Sequence, residues 1–217
     1  MSTTDSGFGY SILPVTPFEQ NTTLVWCTQT MRGAVIDPGG ELGRLREFIE
    51  KAGVTVEKIL LTHGHVDHAG GAAELRERLS VPVVGPHKAD AFWLDRVEEA
   101  GSMYGLYGVR DVKPDSWLED GETVEIGNIV LDVIHAPGHT PGHVVFHNAA
   151  AKWAQVGDVL FRGSVGRTDF PLSNHDDLIN AILNKLLPLG DDIEFVAGHG
   201  PMGTFGEERR NNPFLNG

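Results

Sequence analysis

The chain lacks the features that mark several common protein classes. It has one cysteine, Cys27, so no disulfide can form within it. Cys27 ends the apolar run 23–27 with no histidine beside it in sequence, which predicts a buried structural thiol rather than a nucleophile. No hydrophobic run approaches the length of a membrane span, and the first nine residues carry neither a basic nor an apolar segment. A cytoplasmic protein with no secretory signal and no membrane engagement is expected. Positive charge is scarce: 17 Lys and Arg stand against 30 Asp and Glu, a formal net charge of −13. That balance argues against nucleic acid as the main partner, although surplus acid also serves simply to keep a surface soluble. No Gly-x-Ser-x-Gly element presents a serine nucleophile. There is no Pro/Ser-rich linker and no low-complexity tract. With 217 residues, 41% hydrophobic and 22% charged, one folded domain over residues 1–217 is expected.

What is present is a chain of short β-rich runs interleaved with helical patterns. Runs 10–15, 22–27 and 33–37 read as strands and open the chain as a β-meander. A helix is expected over 41–51, where Leu42, Leu45, Phe48 and Ile49 recur at helical spacing before Gly53. Strand 57–61, a helix over 69–79, strand 81–85 and a helix over 87–100 ended by Gly101 follow. Residues 101–115 read as an irregular loop whose Tyr104 and Tyr107 either line a site mouth or simply lie on the surface. Strands 122–126 and 129–134 flank the turn pair Gly127-Asn128. Strands 144–147 and 152–156 come next, then a helix over 174–187 opened by a Ser173/Asp176 capping box, and a last strand 193–197. Two sheets covered by helices, an αββα sandwich, fit this order.

The chemistry is concentrated in Thr62-His63-Gly64-His65-Val66-Asp67-His68, directly after an apolar strand. Imidazole and carboxylate are ligands for zinc and similar metals, and this density is hard to explain by packing. His63 and His65, two apart, share one side of an extended segment. Asp67 and His68 are adjacent, so their side chains diverge, which suits two metals rather than one. Further ligands are offered by His139, Asp158 and His199, each directly after glycine near a strand end. His143 is either a hydrogen-bonding residue behind the ligands or merely the residue that begins the next strand. His87, His135, His147 and His175 have no such setting and read as surface or capping residues.

These motifs, with Pro-Gly-His-Thr-Pro-Gly-His at 137–143, Gly157-Asp158 and Gly198-His199-Gly200-Pro201 in the same order, resemble the metallo-β-lactamase superfamily. Within it the chain is most similar to short hydroxyacylglutathione hydrolases (glyoxalase II), through the segment 157–171 and the Asn-Pro-Phe-Leu run at 212–215. The resemblance implies one metal held by His63, His65 and His139, a second held by Asp67, His68 and His199, and Asp158 bridging them. Zinc is the foremost metal, with iron and manganese as alternatives. It implies hydrolysis of a small thioester, S-lactoylglutathione or a related S-acyl-glutathione, by a metal-bridging hydroxide, with no catalytic side chain beyond the ligands. Arg167 falls where those enzymes carry a basic residue for a glutathione carboxylate; an ordinary solvent-exposed arginine is the other reading. Two departures bear on substrate: only 18 residues follow His199, where full-length relatives carry a helical extension, and Gly200-Pro201 stand where those enzymes offer a tyrosine. Rival readings are a mononuclear-iron persulfide dioxygenase using His63, His139 and Asp158, a lactone or β-lactam hydrolase (although β-lactamases usually lack the bridging Gly-Asp carboxylate), and a non-catalytic metal-binding module.

Overall fold

Apolar alternation along the strands builds the layers of the computed structural model, which describes residues 2–3 and 7–216. Residues 1 and 4–6 of the polar N-terminal stretch lie outside the described residues. The first sheet runs β1 (Ser2–Thr3), β2 (Phe8–Val15), β3 (Gln20–Cys27), β4 (Arg32–Ile36), β5 (Thr55–Leu60) and β6 (Val83–Val84), with spatial order following chain order. Its first three pairings are antiparallel and the last two parallel. The second half supplies β7 (Thr123–Ile126), β8 (Ile129–His135), β9 (Val144–Asn148), β10 (Trp153–Gly157), the small hairpin β11 (Leu160–Phe161) and β12 (Ser164–Val165), then β13 (Glu194–Ala197) and β14 (Gly203–Thr204). The second six-stranded sheet has the order β14-β13-β10-β9-β8-β7, in which only β10 and β13 are parallel.

Successive side chains of a strand face opposite ways, so each strand serves two cores. In β3, Val25 and Cys27 enter the core between the sheets, whereas Leu24 and Trp26 enter the core beneath the helices. Phe8, Phe146 and Trp153 fill the middle, with Phe8 and Trp153 centroids 4.9 Å apart. Burying one such ring contributes about 1.5–3 kcal/mol. Helices α1 (Leu42–Ala52), α2 (Val66–Ala69), α3 (Ala72–Leu79), α4 (Ala91–Leu94) and α5 (Val97–Tyr104) cover the first sheet. Helices α6 (His175–Ala181) and α7 (Phe205–Asn211) cover the second. The αββα sandwich is therefore as expected, and Cys27 is buried in its centre.

Several boundaries differ. The helix expected over 69–79 is two helices, because the Gly71 N–H leaves the helical ladder to donate to Pro38 O (2.8 Å). The helix expected over 87–100 is a 3-10 turn at Lys88–Asp90 followed by α4 and α5. It does not stop at Gly101: α5 continues to Tyr104, and a Cβ at 101 would stand 2.7 Å from Leu106 O. The loop begins four residues later than read. The expected Ser173/Asp176 capping box is not formed. Asn174 caps α6 by accepting from Asp177 N (3.2 Å), and the Ser173 hydroxyl donates to His139 O (2.7 Å). The helix expected to run to 187 becomes a π-helical turn, Ile182–Leu186, and a 3-10 turn, Leu187–Leu189. Strand 81–85 shrinks to two residues, and β14 and α7 were not foreseen. Among the described residues, no helix is long and apolar enough to cross a membrane.

The C-terminal ends of β4, β5, β8, β10 and β13 open onto one edge, where backbone hydrogen bonds stitch the sheets together. Val144 N donates to Thr62 O (2.8 Å), and Asn21 N to Gly198 O (2.7 Å).

Candidate metal centre

The site is assembled from the segments that leave those strand ends. Asp37, one residue beyond β4, has φ 52°, a left-handed conformation uncommon outside glycine and the Asn/Asp class. The turn aims its carboxylate at β5's exit. Oδ1 accepts from Thr62 N (2.7 Å), and Oδ2 accepts from the Thr62 hydroxyl (2.6 Å) and from His68 Nδ1 (2.9 Å). The Thr62 hydroxyl has one proton and gives it to Asp37. Toward His63 Nδ1, 3.0 Å away, it therefore accepts. This fixes the tautomer of His63 with its Nε2 lone pair free.

The same device recurs around the site. His139 Nδ1 donates to Arg167 O (2.8 Å) and His199 Nδ1 to Phe18 O (3.0 Å). In His63, His68, His139 and His199, a protein acceptor occupies Nδ1 and Nε2 is turned inward. Such outer hydrogen bonds are how proteins orient imidazole ligands. His139 Nε2 meets His65 Nδ1 at 2.9 Å, so two ring nitrogens converge on one point. His199 Nε2 lies 3.1 Å from Asp67 Oδ2.

Among the described residues, three groups bring donor atoms close enough to share an ion: His63, His65 and His139; Asp67, His68 and His199; and Asp37, His63 and His68. In the third, Asp37 already spends both oxygens on Thr62 and His68, which makes it a scaffold. The first two are the two triads expected. Asp158 lies between them, its oxygens 3.3 Å from His68 Nε2, 3.5 Å from His139 Nε2 and 3.7 Å from His199 Nε2. All seven residues singled out in the sequence are thus brought to one place.

The electrostatics differ between the triads. Burial, helped by neighbouring histidines, holds His63 well below the ordinary imidazole value and takes His65 down to about 3. Burial also lowers His139. This triad is a set of neutral lone pairs. In the other, burial opposes the charges but the ion pairs win. Asp158 and Asp67 raise His68 well above its ordinary value and raise His199, while those histidines hold both carboxyls down. Nε2 of His63, His65 and His68 and Oδ1 of Asp158 are buried without a hydrogen-bond partner. His68 Nε2 and Asp158 Oδ1 are near but not aligned to bond. Buried polar atoms are almost always satisfied, and a cluster of unsatisfied nitrogen and oxygen donors is what divalent metal ions complete. The donor set fits two such ions.

Three residues behind the two triads carry the geometry. The His143 ring stacks on His63 (4.7 Å, 18°), and its Nε2 accepts the Asp158 N–H (3.1 Å). The hydrogen-bonding reading of His143 is the one the geometry favours; the residue precedes β9 rather than beginning it. Asp37 and Asp90 were missed. Asp90 is buried and accepts from Gly64 N (2.8 Å), the Thr140 hydroxyl (2.8 Å) and Gly142 N (2.5 Å). It pins the first histidine loop to the loop carrying His139. Burial pushes its carboxyl up to about 6, against those three hydrogen bonds. Nothing in sequence marks Asp90, whereas Asp37 is signalled faintly by its place between a strand and Pro38-Gly39-Gly40. Asp37→Asn would set an amide donor against the N–H of His68. Metal affinity is expected to fall about 10–100-fold, measured by titrating metal-free protein with zinc against a chelating dye.

Five of the seven residues, His65, Asp67, His139, Asp158 and His199, line a cavity of about 570 Å³, and His63 and His68 are buried behind them. Trp93 and Phe170 stand beside His65 (4.5 and 4.9 Å), and Phe161 lies near His199 (6.4 Å). Phe18 and Tyr104 meet edge to face at the mouth (5.9 Å). Tyr104 therefore lines the site, whereas Tyr107 is 86% exposed and is not among the lining residues. Arg167 is on the rim. Of the remaining histidines, His87 caps the 3-10 turn by accepting from Ala89 N (3.2 Å), and His175 is exposed at the start of α6. His135 is half-buried against His87 (4.3 Å). His147 is not a surface residue: it is buried in β9 and pairs with Asp132 (3.2 Å).

Comparison with known proteins agrees with this geometry. The model of the metallo-beta-lactamase superfamily matches residues 15–199. Hydroxyacylglutathione hydrolase GloC of Haemophilus influenzae is 44% identical over 206 residues, which cover 94% of this chain and 97% of that protein. Among solved structures, the BLEG-1 B3 metallo-beta-lactamase superposes with a TM-score of 0.88 at 34% identity, covering 96% of this chain and 100% of that one. TTHA1623, in a di-iron-bound form, gives 0.84 at 36% identity, covering 94% and 100%. With a family model spanning most of its length and a relative this similar over nearly all of it, the chain belongs to the metallo-beta-lactamase superfamily.

Proposed function

We propose that this metal-dependent hydrolase cleaves thioesters, with S-lactoylglutathione and related S-acyl-glutathiones as first candidates. The observation that carries the reading is the Asp158 carboxylate set between two histidine-containing triads at the floor of an aromatic cleft. The similarity to GloC supports the substrate class. His63, His65 and His139 would hold one ion, Asp67, His68 and His199 the other, and Asp158 would touch both. Zinc is the first candidate; the similarity to a di-iron-bound structure keeps iron beside it. When bound, the two ions supply Lewis acidity at the thioester carbonyl and lower the pKa of coordinated water to about 7.

The chain's own residues prepare the place for that chemistry. Trp93 and Phe170 wall the cavity next to the first triad. Asp67 and Asp158 are held ionised by their histidine partners, so they orient rather than accept a proton. Asp37 and His143 fix the directions of His68 and Asp158. No side-chain nucleophile is needed. Cys27 is buried between the sheets, and the cavity's Ser164 hydroxyl donates to a carbonyl, Val165 O, with no imidazole or carboxylate among its described partners. Hydrolysis adds the oxygen of water to the acyl carbon, breaks the C–S bond and leaves a carboxylate and a thiol.

The test is a metal-replete preparation assayed against a panel of acyl-glutathiones, with elemental analysis of the same sample. His65→Ala is expected to lose activity and about one ion per chain; full activity in that variant would refute the ligand assignment. Opening of a β-lactam is the second reading, favoured by the similarity to BLEG-1, and a chromogenic cephalosporin in the same assay measures it. An iron dioxygenase using only His63, His139 and Asp158 would leave the Asp67, His68 and His199 group without a task.

A further inference from the structure

Among the described residues the cleft has one Lys or Arg on its rim, Arg167, and its guanidinium is already engaged. Its Nε donates to Asp169 Oδ1 (2.9 Å) and its Nη2 to Asp169 Oδ2 (2.7 Å), a two-bond fork of the kind guanidinium forms with a ligand carboxylate. One face of the guanidinium lies over the Phe170 ring, 4.6 Å from its centroid. Its outer edge is left for a substrate, with the positive charge partly offset by Asp169. Arg167 is the sole Lys or Arg among the residues lining the cavity. Aromatic rings recur along the walls: Trp93 and Phe170 by the first triad, Phe161 by the second, Phe18 and Tyr104 at the mouth, with Val66, Ala100 and Val165 between them.

We propose that Asp169 is a specificity residue that occupies the carboxylate fork of Arg167, so that the cleft selects thioesters by an apolar or aromatic acyl group and not by a carboxylate on the thiol. This rests on the thioester reading and narrows it. A carboxylate arriving at Arg167 either displaces a partner held two residues away in the same chain, always present at high effective concentration, or takes the outer edge of a guanidinium whose charge that partner already offsets. The side chains of Arg167 and Asp169 are 68% and 65% exposed, so the ion pair is a weak surface one and displacing it costs little. The effect is therefore a modest, directional bias. Aromatic walls favour flat or branched apolar groups through contact area and ring stacking.

The experiment compares one acyl group on two thiols, glutathione and N-acetylcysteamine; the second carries no carboxylate. Lactoyl and phenylacetyl esters of each are assayed with the unaltered enzyme, Asp169→Asn, Arg167→Gln and the double variant. In the unaltered enzyme, removing the carboxylates should change KM less than about threefold, and phenylacetyl esters should have the lower KM. Asp169→Asn should lower KM about two- to sixfold for glutathione esters, the factor a surface ion pair of this strength withholds. It should leave kcat and the N-acetylcysteamine esters unchanged, and Arg167→Gln in the same chain should erase the gain. If the unaltered enzyme loses more than about tenfold in KM without the carboxylates, or Asp169→Asn shifts both thiols equally, the proposal is overturned. A preparation that cleaves none of the four esters overturns the thioester reading itself, which is a different outcome.

Discussion

Asp158→Asn is expected to lower thioester hydrolysis by about 10³-fold and to reduce bound metal below two ions per chain. The carboxylate lies within 3.7 Å of ring nitrogens from both triads, so no single change reaches more of the site. Asparagine keeps the shape but replaces one anionic oxygen by an amide donor, which presents hydrogens where an ion needs an electron pair. It also removes the counter-charge. His68 owes its raised pKa, against the pull of burial, first to Asp158 and then to Asp67. The backbone bond from residue 158 to His143 is untouched by the substitution, so the fold should persist. Elemental analysis and turnover of the same preparation provide the measurement; two ions with turnover near that of the unaltered enzyme would remove Asp158 from the site.

The second large effect comes from a residue with no functional group. Gly198→Ala would place a Cβ in overlap with Asp158 Oδ1 and 2.6 Å from His68 Cε1. The His68 ring cannot give, whereas the Asp158 carboxylate, whose Oδ1 has no hydrogen-bond partner, can still rotate. His68 is fixed through Nδ1 to Asp37, and Asp158 through its backbone to His143. The backbone at 198 is tied from both sides, donating to Gly157 O (2.8 Å) and accepting from Asn21 N (2.7 Å). The carboxylate must therefore turn away. The expected result is retention of one ion in the His63, His65 and His139 triad, loss of the other, and a fall in turnover of about 10²-fold, the scale of a misplacement near 1 Å. Metal content of one per chain with an unchanged circular dichroism spectrum would match; two ions with full turnover would contradict the packing argument.

These two residues show what a sequence discloses and what it hides. Asp158 and the histidines were legible because metal-binding side chains next to glycine at strand ends are unusual in such number, and because the alternation of the strands implied two sheets whose ends open together. Gly198 was visible only as a neighbour of His199. The reason it must be glycine is a contact across 40 residues of chain, which no local pattern encodes. Asp37 and Asp90 were hidden for a related reason. A lone aspartate at a strand end or in a turn is ordinary turn chemistry, and what sets these two apart is which distant N–H and O–H groups face them. The short helix α7 was missed although Thr204 and Glu207 have capping-box spacing, and Thr204 does accept from Glu207 N (3.3 Å). Its segment is too short and polar to show a helical stripe. The break at Gly70-Gly71 was hidden because Ala72, Leu75 and Leu79 do keep helical spacing and only the hydrogen bond to Pro38 interrupts them.

The first triad joins His63 and His65 of the first half of the chain to His139 of the second, and the other joins Asp67 and His68 to His199. On the proposed assignment each ion is therefore a cross-link between the two sheets, closing loops of more than 70 and 130 residues in a chain that has no disulfide to do so. Ions that bind the folded edge but not the unfolded chain add their binding free energy to its stability. Filling the centre and completing the sandwich are then one linked equilibrium, and chelation would loosen the union of the two halves as well as stop the chemistry.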